Sequence, residues 1–107
     1  MSDWVPASKK FVLSLIEQGK QDLSQKDIKF FNKYSVPLEK YKILRNDKVE
    51  EVFVVAKKDN QILYYEDVEE GFEITTNFSD KTILEYGGTN QDTLSVAIYK
   101  WGKGMFQ

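Results

Sequence analysis

Apolar residues recur along this chain with two different periods. Val12, Leu15 and Ile16 share one face of a helix that Pro6 can open and Gly19 can stop, which predicts a first helix over roughly residues 6–18. Ser24 followed by Asp27 resembles a capping box, and Ile28, Phe31 and Tyr34 then repeat at helical spacing until Pro37 forbids continuation. A second helix is therefore predicted over roughly residues 25–34. From Glu39 the period becomes that of a sheet. Tyr41 and Ile43 alternate with lysines, and Val52–Ala56 is an unbroken run suited to a central strand buried on both faces. Further strand signals fall at Ile62–Tyr65, Gly71–Thr75, Asn77–Asp80 and Thr82–Tyr86, with gaps short enough to favour antiparallel pairing. Gly87-Gly88-Thr89-Asn90 breaks the sheet. Leu94, Ala97, Ile98 and Trp101 then form the clearest helical stripe, with Thr89 or Asn90 as the expected cap and Gly102 and Gly104 as the stop.

The expected fold is a single α+β domain spanning residues 1–107. It has two N-terminal helices, a mainly antiparallel sheet of about five strands, and a C-terminal helix packed on the sheet. No repeat or linker divides it. The apolar run Phe11–Ile16 is followed by Glu17 and is too short for a signal peptide or a membrane span, so a soluble cytoplasmic protein is expected, with no membrane partner.

Composition narrows the chemistry. The chain of 107 residues contains no cysteine and no histidine. Thiolate metal sites, disulfides and every nucleophilic arrangement that relies on imidazole are excluded, and the commonest general base near neutral pH is missing. No enzymatic activity, cofactor or metal is expected. The net charge of -2 conceals an asymmetry: residues 1–48 carry ten basic and six acidic side chains, and residues 49–107 carry five and eleven. Such division suits the steering of a charged partner.

Three motifs compete for a role. Gly87-Gly88 ahead of a helix resembles an anion cradle, yet it lacks the P-loop lysine and reads as a strand-to-helix turn. Lys26, Lys29 and Lys33 line one side of the second helix and would suit a nucleic-acid backbone, but the acidic balance of the whole chain argues against nucleic acid as the partner. The third is Glu66, Asp67, Glu69, Glu70 and Glu73, five carboxylates within eight residues with no base among them. Their spacing matches no calcium loop. Flanked by Tyr64, Tyr65 and Phe72, and with Glu85 nearby, they are expected to form an exposed acidic face that meets a basic protein.

The stretch Tyr64–Glu73, followed by Gly88–Leu94 and the helix through Ala97 and Trp101, resembles small bacterial immunity proteins of contact-dependent growth inhibition and related polymorphic toxin systems. The resemblance implies a non-catalytic antitoxin that binds and neutralises its cognate toxin domain, many of which are nucleases with basic clefts. The alternative is a nucleic-acid-binding or other small interaction module. Residues alone leave open the partner's identity, the oligomeric state and the manner of inhibition.

Overall fold

The computed structural model describes residues 8–45, 48–67, 70–84 and 92–104. Within them the chain is α+β: α1 (Lys9–Lys20), α2 (Gln25–Tyr34), β1 (Ser35–Arg45), β2 (Lys48–Lys58), β3 (Gln61–Glu66), β4 (Gly71–Thr75), β5 (Phe78–Ser79), β6 (Thr82–Ile83) and α3 (Leu94–Gly102). None of these helices is long and apolar enough to cross a membrane.

Each helix starts on a hydroxyl cap. Ser8 and Ser24 each accept the N–H of the residue three positions on, at 3.1 Å, satisfying one of the donors that a helix N-terminus leaves free. Thr93 does the same for α3, accepting from the Val96 N–H at 3.4 Å. This corrects the expected cap at Thr89 or Asn90, which lie outside the described residues. Gly19 also differs from expectation. It sits inside α1, whose C-cap is Gln21, and its missing side chain serves packing: a Cβ there would stand 2.7 Å from Leu94 Cβ.

The sheet has six strands in the order β4-β3-β2-β1-β6-β5, not five, and it is mixed, because β1 and β6 run parallel through Lys42–Thr82 and Ile43–Ile83. β2 lies between β3 and β1. Pro37, which cannot donate to a ladder, falls in β1 where the register shifts between Ser35 and Glu39. A second shift, between Val54 and Ala56, interrupts the β2–β3 ladder. Such irregularities increase local twist and bend strands.

Chain length then forces closure. β4 and β5 occupy opposite edges of the sheet, yet only Thr76 and Asn77 separate them. Six flat strands would set those edges about 24 Å apart, whereas three Cα steps reach at most about 11 Å. The sheet must curl until its edges approach.

Curling creates two cores. Tyr41, Ile43, Val52, Val54, Ile62, Tyr64 and Ile83 line the inner face and are buried among themselves, with Val36 and Phe78 packed against them. Among the described residues no helix contributes to this cluster. The outer face carries Val55, Ala56, Leu63, Tyr65 and Phe72 under Val12 and Ile16 of α1, Phe31 of α2, and Leu94, Ala97, Ile98 and Trp101 of α3. Trp101 stacks edge-on against Phe30 with centroids 5.5 Å apart, and its indole N–H donates to Gln61 Oε1 at 2.7 Å, the partner a buried indole requires. On the inner face, Glu39 accepts from Lys57 at 2.7 Å and Lys81 at 2.6 Å. These two bonds hold its carboxyl below the usual range.

Candidate functional site

Strand alternation decides where the acidic stretch goes. In β3 the side chains of Ile62, Tyr64 and Glu66 share one face, and those of Leu63 and Tyr65 share the other. Tyr64 pairs with Glu73 across the ladder and Tyr65 with Phe72. Tyr64, Glu66 and Glu73 consequently belong to the inner side, and all three are buried. Tyr65 faces the helices, and the turn after β3 carries Asp67 and Glu70 round to that side as lining of a groove. The expected exposed face of five acids is thus divided. Glu66 has no exposed surface, Asp67 and Glu73 retain less than a tenth of theirs, and Glu70 stands in solvent. Glu69 and Glu85 lie outside the described residues.

What the structure assembles instead is a groove of about 640 Å³ between α1, the β3–β4 turn and the entry to α3. Its apolar part comes from Phe11, Leu15, Tyr65, Phe72 and Leu94. The Tyr65 ring meets Phe72 at 5.2 Å and Phe11 at 6.2 Å, both edge-on. Phe11 remains 48% exposed although its ring meets that of Tyr65. Around these rings stand, among the described residues, four carboxylates, Asp22, Asp67, Glu70 and Asp92, and no lysine or arginine lines the groove there. A volume of this size falls within the range of ordinary ligand pockets.

Each wall has a local cause. Asp92 donates no side chain to the sheet, but its carbonyl accepts the Phe72 N–H at 2.8 Å, docking the chain on the outer edge of β4 just before α3 begins. Its carboxylate accepts from Lys100 Nζ at 3.1 Å, eight residues on. Glu70 holds a left-handed backbone, φ 59°, that turns the chain sharply into β4. Gly19, without a Cβ, lets α1 approach Leu94 and closes the end of the groove.

The field is anionic. Burial raises the Tyr65 phenol above its ordinary pKa, and the carboxylates of Glu70, Asp67 and Glu66 push it further in the same direction. The same field that disfavours a phenolate favours a guanidinium or an ammonium. Among the described residues no group of three or more acids is arranged to hold a metal ion.

Sequence reasoning missed the α1 wall: Phe11, Leu15, Gln18, Gly19 and Asp22. A signal was present. Apolar residues at 11, 12, 15 and 16 make a stripe wider than Val12, Leu15 and Ile16 alone, and a stripe too wide for one core contact has a second edge to account for. Comparison with family models, with curated proteins and with solved structures finds no match.

Proposed function

We propose that this chain is a non-catalytic binding protein of the immunity type, which neutralises a toxin domain by receiving one of its basic segments in the groove beside the β3–β4 turn. The observation that carries the reading is the placing of Phe11, Tyr65 and Phe72 with Asp22, Asp67, Glu70 and the Lys100-paired Asp92 in one concavity whose lining, among the described residues, contains no lysine or arginine. Aromatic anchors ringed by charge make binding hot spots. A lysine or arginine entering here lays its methylene stem on the rings and its charged head among the carboxylates, so one side chain uses both halves of the lining. On this reading the partner is a basic toxin domain, such as a nuclease with a cationic cleft, met in the bacterial cytoplasm. Inhibition needs no reaction, in keeping with a chain that has neither histidine nor cysteine.

The test is co-purification with the toxin domain encoded beside this chain's gene, together with growth rescue on co-expression. Gln18→Lys with Glu70→Lys places two cations on opposite walls of the groove, both at solvent-exposed positions. The double variant should keep its thermal transition and lose binding and rescue. Unchanged affinity moves the interface elsewhere. Single neutralisation of Glu70 at the rim should act mainly on association rate and salt dependence, whereas truncating Asp67, if the complex pairs it, should cost about 2–5 kcal/mol.

A further inference from the structure

A second concavity, also of about 640 Å³, runs between α2 and α3 on the helical layer. Its sign is opposite. Lys26, Lys29 and Lys33 of α2 and Lys103 after α3 border it. Lys20, Lys40, Lys57, Lys58, Lys81 and Lys100 each lie within ion-pair distance of a carboxylate, but the described residues give none of these four such a partner. Between them lie Phe30, Val96 and Tyr99, and Val96 and Tyr99 remain 42% and 51% exposed on the side of α3 turned from its core stripe. Two acids, Asp22 and Asp27, also border this groove.

We infer that the α2–α3 groove seats an acidic protein segment, with a large apolar side chain between Phe30, Val96 and Tyr99 and carboxylates against Lys29, Lys33 and Lys103. Charge complementarity selects the partner's sign. The exposed valine and tyrosine select a partner with an apolar anchor, because charge alone would leave them wet. Asp22 and Asp27 select against a nucleic-acid strand, whose phosphates repeat at every step and would have to pass them, whereas a peptide can place a neutral residue there. This site shares only Asp22 with the acid-lined groove and does not depend on the role proposed for that groove.

The probes are a short peptide of glutamates flanking one tryptophan, its counterpart with glutamine for every glutamate, and oligothymidylate, each titrated into isotope-labelled protein. The expected result is amide shifts along α2 and α3 with the acidic peptide, and affinity about tenfold weaker for the glutamine peptide, for Lys29→Gln with Lys33→Gln, and for Tyr99→Ser. Circular dichroism should show both variants folded. Absence of shifts with the acidic peptide, shifts confined to the β3–β4 turn, or equal affinity for oligothymidylate overturns the inference. So does self-association in sedimentation that Tyr99→Ser abolishes, since a second copy would then be the occupant.

Discussion

Replacing Gly19 by alanine sets two known effects against each other at one atom. In a helix interior alanine is favoured over glycine by roughly 0.8–1.0 kcal/mol, an upper bound for Gly19, the last residue but one of α1. On that ground alone Gly19→Ala stabilises α1. The new Cβ, however, would stand 2.7 Å from Leu94 Cβ, 3.0 Å from Cδ2 and 3.3 Å from Cγ, where carbon atoms prefer about 3.5–4.0 Å. Leu94 is buried in the outer core. Rotating its side chain relieves the contacts with Cγ and Cδ2 but not the shortest, because Cβ is fixed to the backbone of α3. The two helices must therefore part by close to an ångström, and overpacking of this kind costs about 1–3 kcal/mol.

The clash should prevail, leaving Gly19→Ala less stable by up to about 2 kcal/mol, or up to roughly 10 °C in Tm for a domain of this size. Thermal and urea denaturation followed by circular dichroism measure it, with an unchanged urea slope showing that the unfolded state is not the cause. Gly102→Ala is the control. There the added atom meets nothing nearer than Phe30 Cδ2 at 4.0 Å, so it should be neutral or mildly stabilising. A Gly19→Ala protein more stable than the parent, as helix propensity alone predicts, would refute the close approach of α1 to α3. Gly19 and Leu94 also line the acid-bordered groove, so the same variant should loosen binding of a basic partner.

Gln61→Leu removes the acceptor 2.7 Å from the Trp101 indole and leaves a buried donor unsatisfied, at a cost of about 1–3 kcal/mol; urea unfolding monitored by tryptophan fluorescence reads both the loss and its location. Tyr65 gives the pH dependence. Its folded-state pKa is raised, so its contribution to stability is fully present below the unfolded value near 10 and is lost as pH climbs through the folded value. Glu70→Gln, by removing one of the charges responsible, should shift the Tyr65 tyrosinate titration downward.

The helices and the central strand were legible because each announces itself through its own neighbours. Val52–Ala56 needs no knowledge of the rest of the chain to be read as a strand buried on both sides. Pairing across the sheet is different. The parallel contact of Ile43 with Ile83 joins residues forty positions apart, and it follows from the curling that two register shifts and the short Thr76-Asn77 connection impose, not from any local pattern. The acidic stretch was misjudged for a nearer reason. Treating Tyr64–Glu73 as one surface ignores the period of two, which sends Tyr64 and Glu66 inward and Tyr65 outward within a single strand. Applied there, alternation would have separated the residues. It would not have found Asp22 or Phe11, which reach the groove only because α1 is laid beside the β3–β4 turn.

The same geometry changes the meaning of the charge split. Division at residue 48 separates a basic part from an acidic one in sequence, but neither groove respects that boundary. The acidic groove takes Asp22 from the first part and Asp67, Glu70 and Asp92 from the second. The basic groove takes Lys26, Lys29 and Lys33 from the first and Lys103 from the second. What divides the charge in space is the helical layer, with the acidic groove between α1 and the start of α3, the basic groove between α2 and α3, and Asp22 in the turn between α1 and α2 bordering both concavities. A substitution at Asp22 therefore perturbs both fields at once and cannot assign a binding defect to either. Glu70 touches only the acidic groove and Lys33 only the basic one. If a single partner engages both sites, Glu70→Lys and Lys33→Gln should each weaken the same complex, with losses that add in the double variant; if two partners bind, each variant should affect its own complex alone.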